Sequence, residues 1–113
     1  MVKRTVEDLK PYVAPGHFNM TPMRIHGKEE TGAEKFWIGV STFLPGGGAE
    51  WDESSPQEKV YYVLEGVMTV TDKDGNKYDI HAGEAISFKP MEGRSLLNET
   101  NLPARMLVIG SYN

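Results

Sequence analysis

Apolar and polar residues fall into short strand-like runs along this chain. Lys35–Leu44 (KFWIGVSTFL) is rich in the β-branched and aromatic residues that suit a pleated, half-buried surface. Lys59–Leu64 and Val67–Thr71 follow, separated by Glu65-Gly66. The segment DKDGN, with its Asp74-Gly75 pair, predicts a hairpin turn into a return strand over Lys77–His81. Ala85–Lys89, Ser95–Asn98 and Arg105–Ser111 complete the pattern, and Met23–His26 predicts a further short strand. About eight short strands at regular spacing predict an all-β sandwich or barrel.

The remaining segments read as connections. Thr5–Lys10 allows one brief helical turn, and KEETGAE reads as a polar loop. Residues 11–22 (PYVAPGHFNMTP) hold three prolines and a glycine and read as an extended arm. The expected organisation is one domain, with residues 1–34 as arm and first strand and residues 35–113 as the barrel core.

Composition narrows the function classes. The chain has 113 residues, 39% hydrophobic and 25% charged, which fits a soluble globular domain. Its net charge of −4, with both signs interspersed, argues against nucleic acid as the main partner. The absence of cysteine excludes disulfides, thiolate zinc sites and thiol chemistry. MVKRTVEDLKPYV contains no apolar leader, and no run approaches the length of a membrane span. A cytoplasmic location without membrane contact is the expectation.

One stretch carries a motif frame. PGGGAEWDESSPQEKVYYVLEG, with Gly46 and Gly66 near its ends, starts with a glycine-rich turn at Pro45–Gly48, and Gly83–Pro90, Gly93 and Asn98 form a second frame before PARMLVI. Over roughly residues 35–110 this organisation resembles the cupin family. The resemblance implies a double-stranded β-helix, or jelly-roll barrel. It also implies a pocket in which three histidines and a glutamate usually hold iron, manganese, zinc or nickel. Here the first two histidine positions fall on Asp52 and Ser54 with a four-residue gap, or on Glu53 and Ser55 with a three-residue gap. The glutamate position falls on Lys59. The last histidine position, counted back from Asn98, falls on Arg94, or on Ser95 with a one-residue slip. Fixed cations repel a divalent metal, which prefers imidazole and carboxylate. The expectation is a pocket without metal or other cofactor.

Alternation puts Lys59, Tyr61 and Val63 on one face of their strand, the pocket face in the family's register. A lysine in such a pocket has a reduced tendency to be charged and can bind a carboxylate, act as a base or form a Schiff base. Arg94 offers a guanidinium fork for a carboxylate or phosphate. The blander alternatives are a snorkelling or ion-paired Lys59 and a surface Arg94 beside Glu92. Arg24 and His26 share a face of MRIH, and His26 is a candidate acid–base group. His17 lies in the arm and His81 adjoins a turn, so no HxH set exists. Glu50, Asp52 and Glu53 form an acidic cluster expected at the pocket rim. Phe36, Trp37, Trp51, Met68, Phe88 and Met106, with Tyr61, are candidates to line an apolar cavity or simply the core. Tyr61, Phe88 and Asn98 complete the candidate ligand-binding set with Arg24, Glu50 and Asp52.

Three functions fit these residues. The first is a small-molecule-binding protein for a polar or anionic metabolite, built around Lys59 and Arg94. The second is an isomerase, lyase or decarboxylase acting on a small carboxylate, which a lowered Lys59 pKa would favour, with an atypical metal site such as His26, Glu50 and Asp52 left open. The third is a purely structural interaction module, which a collapsed barrel would favour. The resemblance also implies a homodimer in which residues 11–22 add to the partner's sheet and cover an open edge.

Overall fold

The computed structural model describes residues 1–112, so Asn113, the last residue of the expected core segment, lies outside the described residues. A single 3₁₀ turn over Val6–Asp8 is followed by β1 (His17–His26), helix α1 (Lys28–Thr31) and β2 (Phe36–Asp52). Then come β3 (Lys59–Glu65), β4 (Val67–Thr71), β5 (Lys77–His81), β6 (Ala85–Phe88), β7 (Arg94–Leu97) and β8 (Ala104–Ser111). Hydrogen bonding runs in the order β5-β4-β7-β2-β8-β3-β6, with β1 on β2. All pairings are antiparallel, giving a nearly closed all-β barrel. No helix among the described residues is long and apolar enough to cross a membrane.

The long strand β2 joins the two halves of the barrel. Its first half pairs with β8, Phe36 opposite Ser111 through Phe43 opposite Ala104. Its second half pairs with β7, Gly48 opposite Leu97 and Asp52 opposite Arg94. The sequence predicts a turn at Pro45–Gly48, but the chain stays in the sheet. The strand bends at Gly46, whose φ of 80° favours glycine, and its N–H bonds the Asn98 carbonyl at 2.9 Å. A Cβ on Gly47 would strike the backbone of Asn19, and one on Gly48 that of Leu96. These glycines let flanking strands close on β2.

Two further elements differ from the sequence expectation for local reasons. β1 starts at His17, within the expected arm, because β2 offers it a ladder from His17–Ala49 to His26–Ile38. Within the expected polar loop, Lys28–Thr31 forms one helical turn, closed by Gly32 at φ 72°. Residues before β1 lie on its outer edge. Pro11 bridges Met23, and the Tyr12 N–H donates to the Pro22 carbonyl at 3.1 Å.

Phe43, Val63, Met68, Val70, Leu96, Ala104 and Met106 are buried together as the core. The alternation in β3 holds: Val63 is 0% and Tyr61 7% exposed, while Tyr62 faces out. Burying each large apolar side chain contributes about 1.5–3 kcal/mol. That packing holds the strand backbones that line the cavity, and Phe43, Leu96 and Met106 belong to both.

Candidate functional site

The open end of the barrel holds a cavity of about 520 Å³. Strand β3 directs Lys59 and Tyr61 into it, and β7 adds Arg94 and Leu96. β2 adds Ser41 and Phe43 from its first half and the run Ala49–Asp52 from its second. Strict alternation would turn Trp51 away from Glu50 and Asp52. A register irregularity between Ala49 and Asp52 lets all three line the cavity. Tyr12–Gly16, ahead of β1, form one rim.

Arg94 is only 6% exposed. One guanidinium nitrogen donates to the Glu92 carbonyl at 3.1 Å, and another lies 3.5 Å from the Tyr61 hydroxyl. The guanidinium carbon stands 4.8 Å from the centre of the Phe88 ring. Asp52 is its cross-strand partner, but the Asp52 carboxylate accepts from the Ser54 N–H and hydroxyl, both at 2.8 Å. Among the described residues no carboxylate forms an ion pair with Arg94.

The turn before β7 sets this placement. Met91 sits at φ 66°, a left-handed conformation uncommon outside glycine. Its N–H donates to the Ser55 carbonyl at 2.7 Å, tying the turn to the loop after β2.

Lys59 is partly buried and makes no ion pair among the described residues. Burial, then the Arg94 charge and more weakly that of Arg24, lower its pKa, against an opposing pull from Asp52. Its ammonium lies 5.8 Å from the Trp37 ring centre. Asp52 is held below the usual carboxylate range, first by the Ser54 hydrogen bonds and then by Arg94 and Lys59. The pocket is therefore populated by two close cations and an ionised carboxylate turned aside.

Arg24 completes the cationic lining. Its guanidinium carbon lies 4.4 Å from the Trp37 ring centre and 4.9 Å from that of Tyr12. One nitrogen donates to the Tyr12 hydroxyl at 3.0 Å, while its buried Nε has no partner. Trp37 is itself fixed by an Nε1–H bond to the Gln57 side chain at 3.0 Å.

Three expected site residues stand elsewhere. His26 is outside the cavity, its Nδ1 2.7 Å from the Thr31 hydroxyl and its ring 5.0 Å from that of Phe36. A register shift in β1 between Arg24 and His26 breaks the alternation that would keep both on one face. Asn98 is 0% exposed and braces loops, its amide donating to the carbonyls of Phe43, Leu44 and Leu102. Phe88 supports the site from behind, packed edge-on against Tyr61 at 4.9 Å. Of the aromatic and sulfur candidates, Trp37, Trp51, Tyr61 and Met106 line the cavity; Phe36 and Met68 do not. The Tyr12–Gly16 rim escaped sequence reasoning, since prolines in an arm do not say where it lies. Gly93 was a readable signal: a Cβ there would strike the Trp51 indole, so this glycine makes room for the ring in the turn before β7.

The residues present do not suit the metal that the fold family commonly holds. Among the described residues no three His, Asp or Glu side chains stand so that they could hold a metal ion together, and two of the expected donor positions carry Lys59 and Arg94. His17 reaches the rim, but its Nδ1 faces the Pro15 carbonyl at 2.8 Å.

Comparison with known proteins supports the fold and gives it a family. A family model described as a cupin domain matches residues 39–110. A protein named beta-D-galactosidase from Mycobacterium tuberculosis (strain ATCC 25618 / H37Rv) is 38% identical over 97 residues, covering 86% of this chain and 82% of the relative. The polyketide cyclase RemF from Streptomyces resistomycificus has a TM-score of 0.85 at 26% identity, covering 98% of this chain and 80% of that one. A cupin-superfamily sugar phosphate isomerase from Silicibacter pomeroyi has a TM-score of 0.81 at 20% identity, over 99% of this chain and 76% of that one, a likeness of fold alone. With its barrel topology and this match across most of its strands, the chain belongs to the cupin domain family.

Proposed function

We propose that this protein binds a small anionic metabolite in its barrel, with Lys59 and Arg94 taking the electrostatic role that a metal has elsewhere in the family. The observation that carries this reading is Arg94, a nearly buried guanidinium with no ion-pair partner among the described residues. A buried charge is costly unless something compensates it. A carboxylate or phosphate between Arg94 and Lys59 would do so with charge-assisted hydrogen bonds. The test is calorimetric titration of chelator-treated protein with small carboxylates. Binding should survive chelation and be lost in Lys59→Ala. Binding that needs a restored metal, or that ignores Lys59→Ala, rejects the proposal.

A second reading is catalysis, and the lowered pKa of Lys59 favours it. A lowered pKa brings the neutral amine within easier reach, and that form can take a proton from a carbon beside a carbonyl. That is isomerase, lyase or decarboxylase chemistry on a bound carboxylate. The relative named beta-D-galactosidase supports a different bond, the glycosidic one, for which Glu50 and Asp52 supply two carboxylates at the cavity wall. Release of nitrophenol from a nitrophenyl β-galactoside, abolished in Asp52→Asn, would establish the second version. No turnover of that probe removes it.

A further inference from the structure

The lining of the cavity is not that of a simple anion site. Beside the cations, Glu50 and Asp52 line the same cavity, and the Ser54 bonds to Asp52 use only its Oδ1. These carboxylates would repel a small bare anion, so a ligand seated at Arg94 must have something for them to accept. Carboxylates accept hydrogen bonds from hydroxyl groups. Trp51 stands between these two acids in sequence, and all three line the cavity. Its indole is 44% exposed and lies against Gly93, the residue next to Arg94. That places a flat apolar face on the wall of the same cavity, packed on the residue that precedes Arg94. Such a face suits the carbon skeleton of a sugar ring, with hydroxyls left to the polar groups around it.

Resting on the anion-binding reading above, we infer that the ligand is an acidic sugar: a pyranose bearing one carboxylate or phosphate. Its anionic group meets Arg94 and Lys59, its ring lies on Trp51, and its hydroxyls donate to Glu50 and Asp52. The cavity of about 520 Å³ has room for a single monosaccharide of this kind. The name of the galactosidase relative agrees with a galactose-derived ring.

The experiment is calorimetric titration of the full chain with galacturonate, galactose 6-phosphate, galactose, malonate and inorganic phosphate. At least one acidic sugar should bind about ten-fold or more tightly than galactose, malonate and phosphate, a difference of about 1.4 kcal/mol. Preference for galacturonate assigns a carboxylate to the Arg94 end, and preference for the sugar phosphate assigns a phosphate. Trp51→Ala should lower affinity for the acidic sugar by about ten-fold more than it lowers affinity for malonate. Malonate binding as tightly as both acidic sugars overturns the sugar and leaves the anion site standing. Galactose binding as tightly as both acidic sugars overturns the anion site itself. Absence of binding by every probe overturns both.

Discussion

Asp52 and Arg94 oppose each other across β2 and β7, yet their charges do not pair, because the Asp52 carboxylate is turned onto Ser54. A strand ladder would ordinarily bring such a pair together and neutralise the pocket. Here it leaves a guanidinium buried and available. The arrangement sacrifices stability in the ligand-free protein, so Arg94→Met should leave that state as stable or up to about 2 kcal/mol more stable. Urea unfolding measures this. A loss of several kcal/mol would mean that Arg94 is a structural brace.

Lys59 should impose a pH dependence of definite sign. Burial and the Arg94 charge lower its pKa in the folded protein. Between that lowered pKa and the ordinary value of about 10.4, the unfolded chain binds more protons than the native one. Stability from this group therefore rises with pH across that window, and the cost of holding the charge is present in full below it. Anion affinity runs the other way and falls as Lys59 loses its proton. Urea midpoints across the alkaline range should show a rise in the native protein that Lys59→Met lacks. Identical profiles would mean that Lys59 is solvated like a surface lysine.

Asn98 makes a contrasting prediction. Its amide holds three carbonyls, and its Oδ1 accepts from the Thr100 N–H at 3.0 Å and hydroxyl at 2.8 Å. Asn98→Ala should destabilise the fold by about 2–4 kcal/mol, since buried carbonyls lose their donors. A change within about 0.5 kcal/mol would remove this bracing role.

These residues show what the sequence carries and what it does not. Alternation in KVYYVLE placed Lys59, Tyr61 and Val63 on one face, and side-chain period decides that locally. Glycines that frame the turns are legible because few other residues fit there. The continuation of β2 through PGGG was not legible, because the closeness of Asn19 and Leu96 is a property of the closed barrel. Asn98 occupies a motif position, which says that the residue matters but not whether it meets ligand or backbone. Arg24 was visible as a cation, but its stacking between Trp37 and Tyr12 joins segments distant in sequence.

The arm gives a prediction about assembly. Pro11 and Tyr12 lie on the outer edge of β1, so residues before His17 stand where they would meet a second copy. The homodimer expected of this chain should become monomeric when it starts at His17, with β1 kept whole. Light scattering decides it. An unchanged dimer removes the arm from the interface, and a monomeric full chain removes the dimer.

The measurement that bears most directly on the central claim is the affinity of the native protein and of Arg94→Met for galacturonate, by calorimetry at one pH and salt concentration. Loss of a buried charge-assisted contact predicts at least about a hundred-fold weaker binding in the variant, or about 2.7 kcal/mol. Equal affinity in the two proteins would contradict the claim that this buried guanidinium holds an anion.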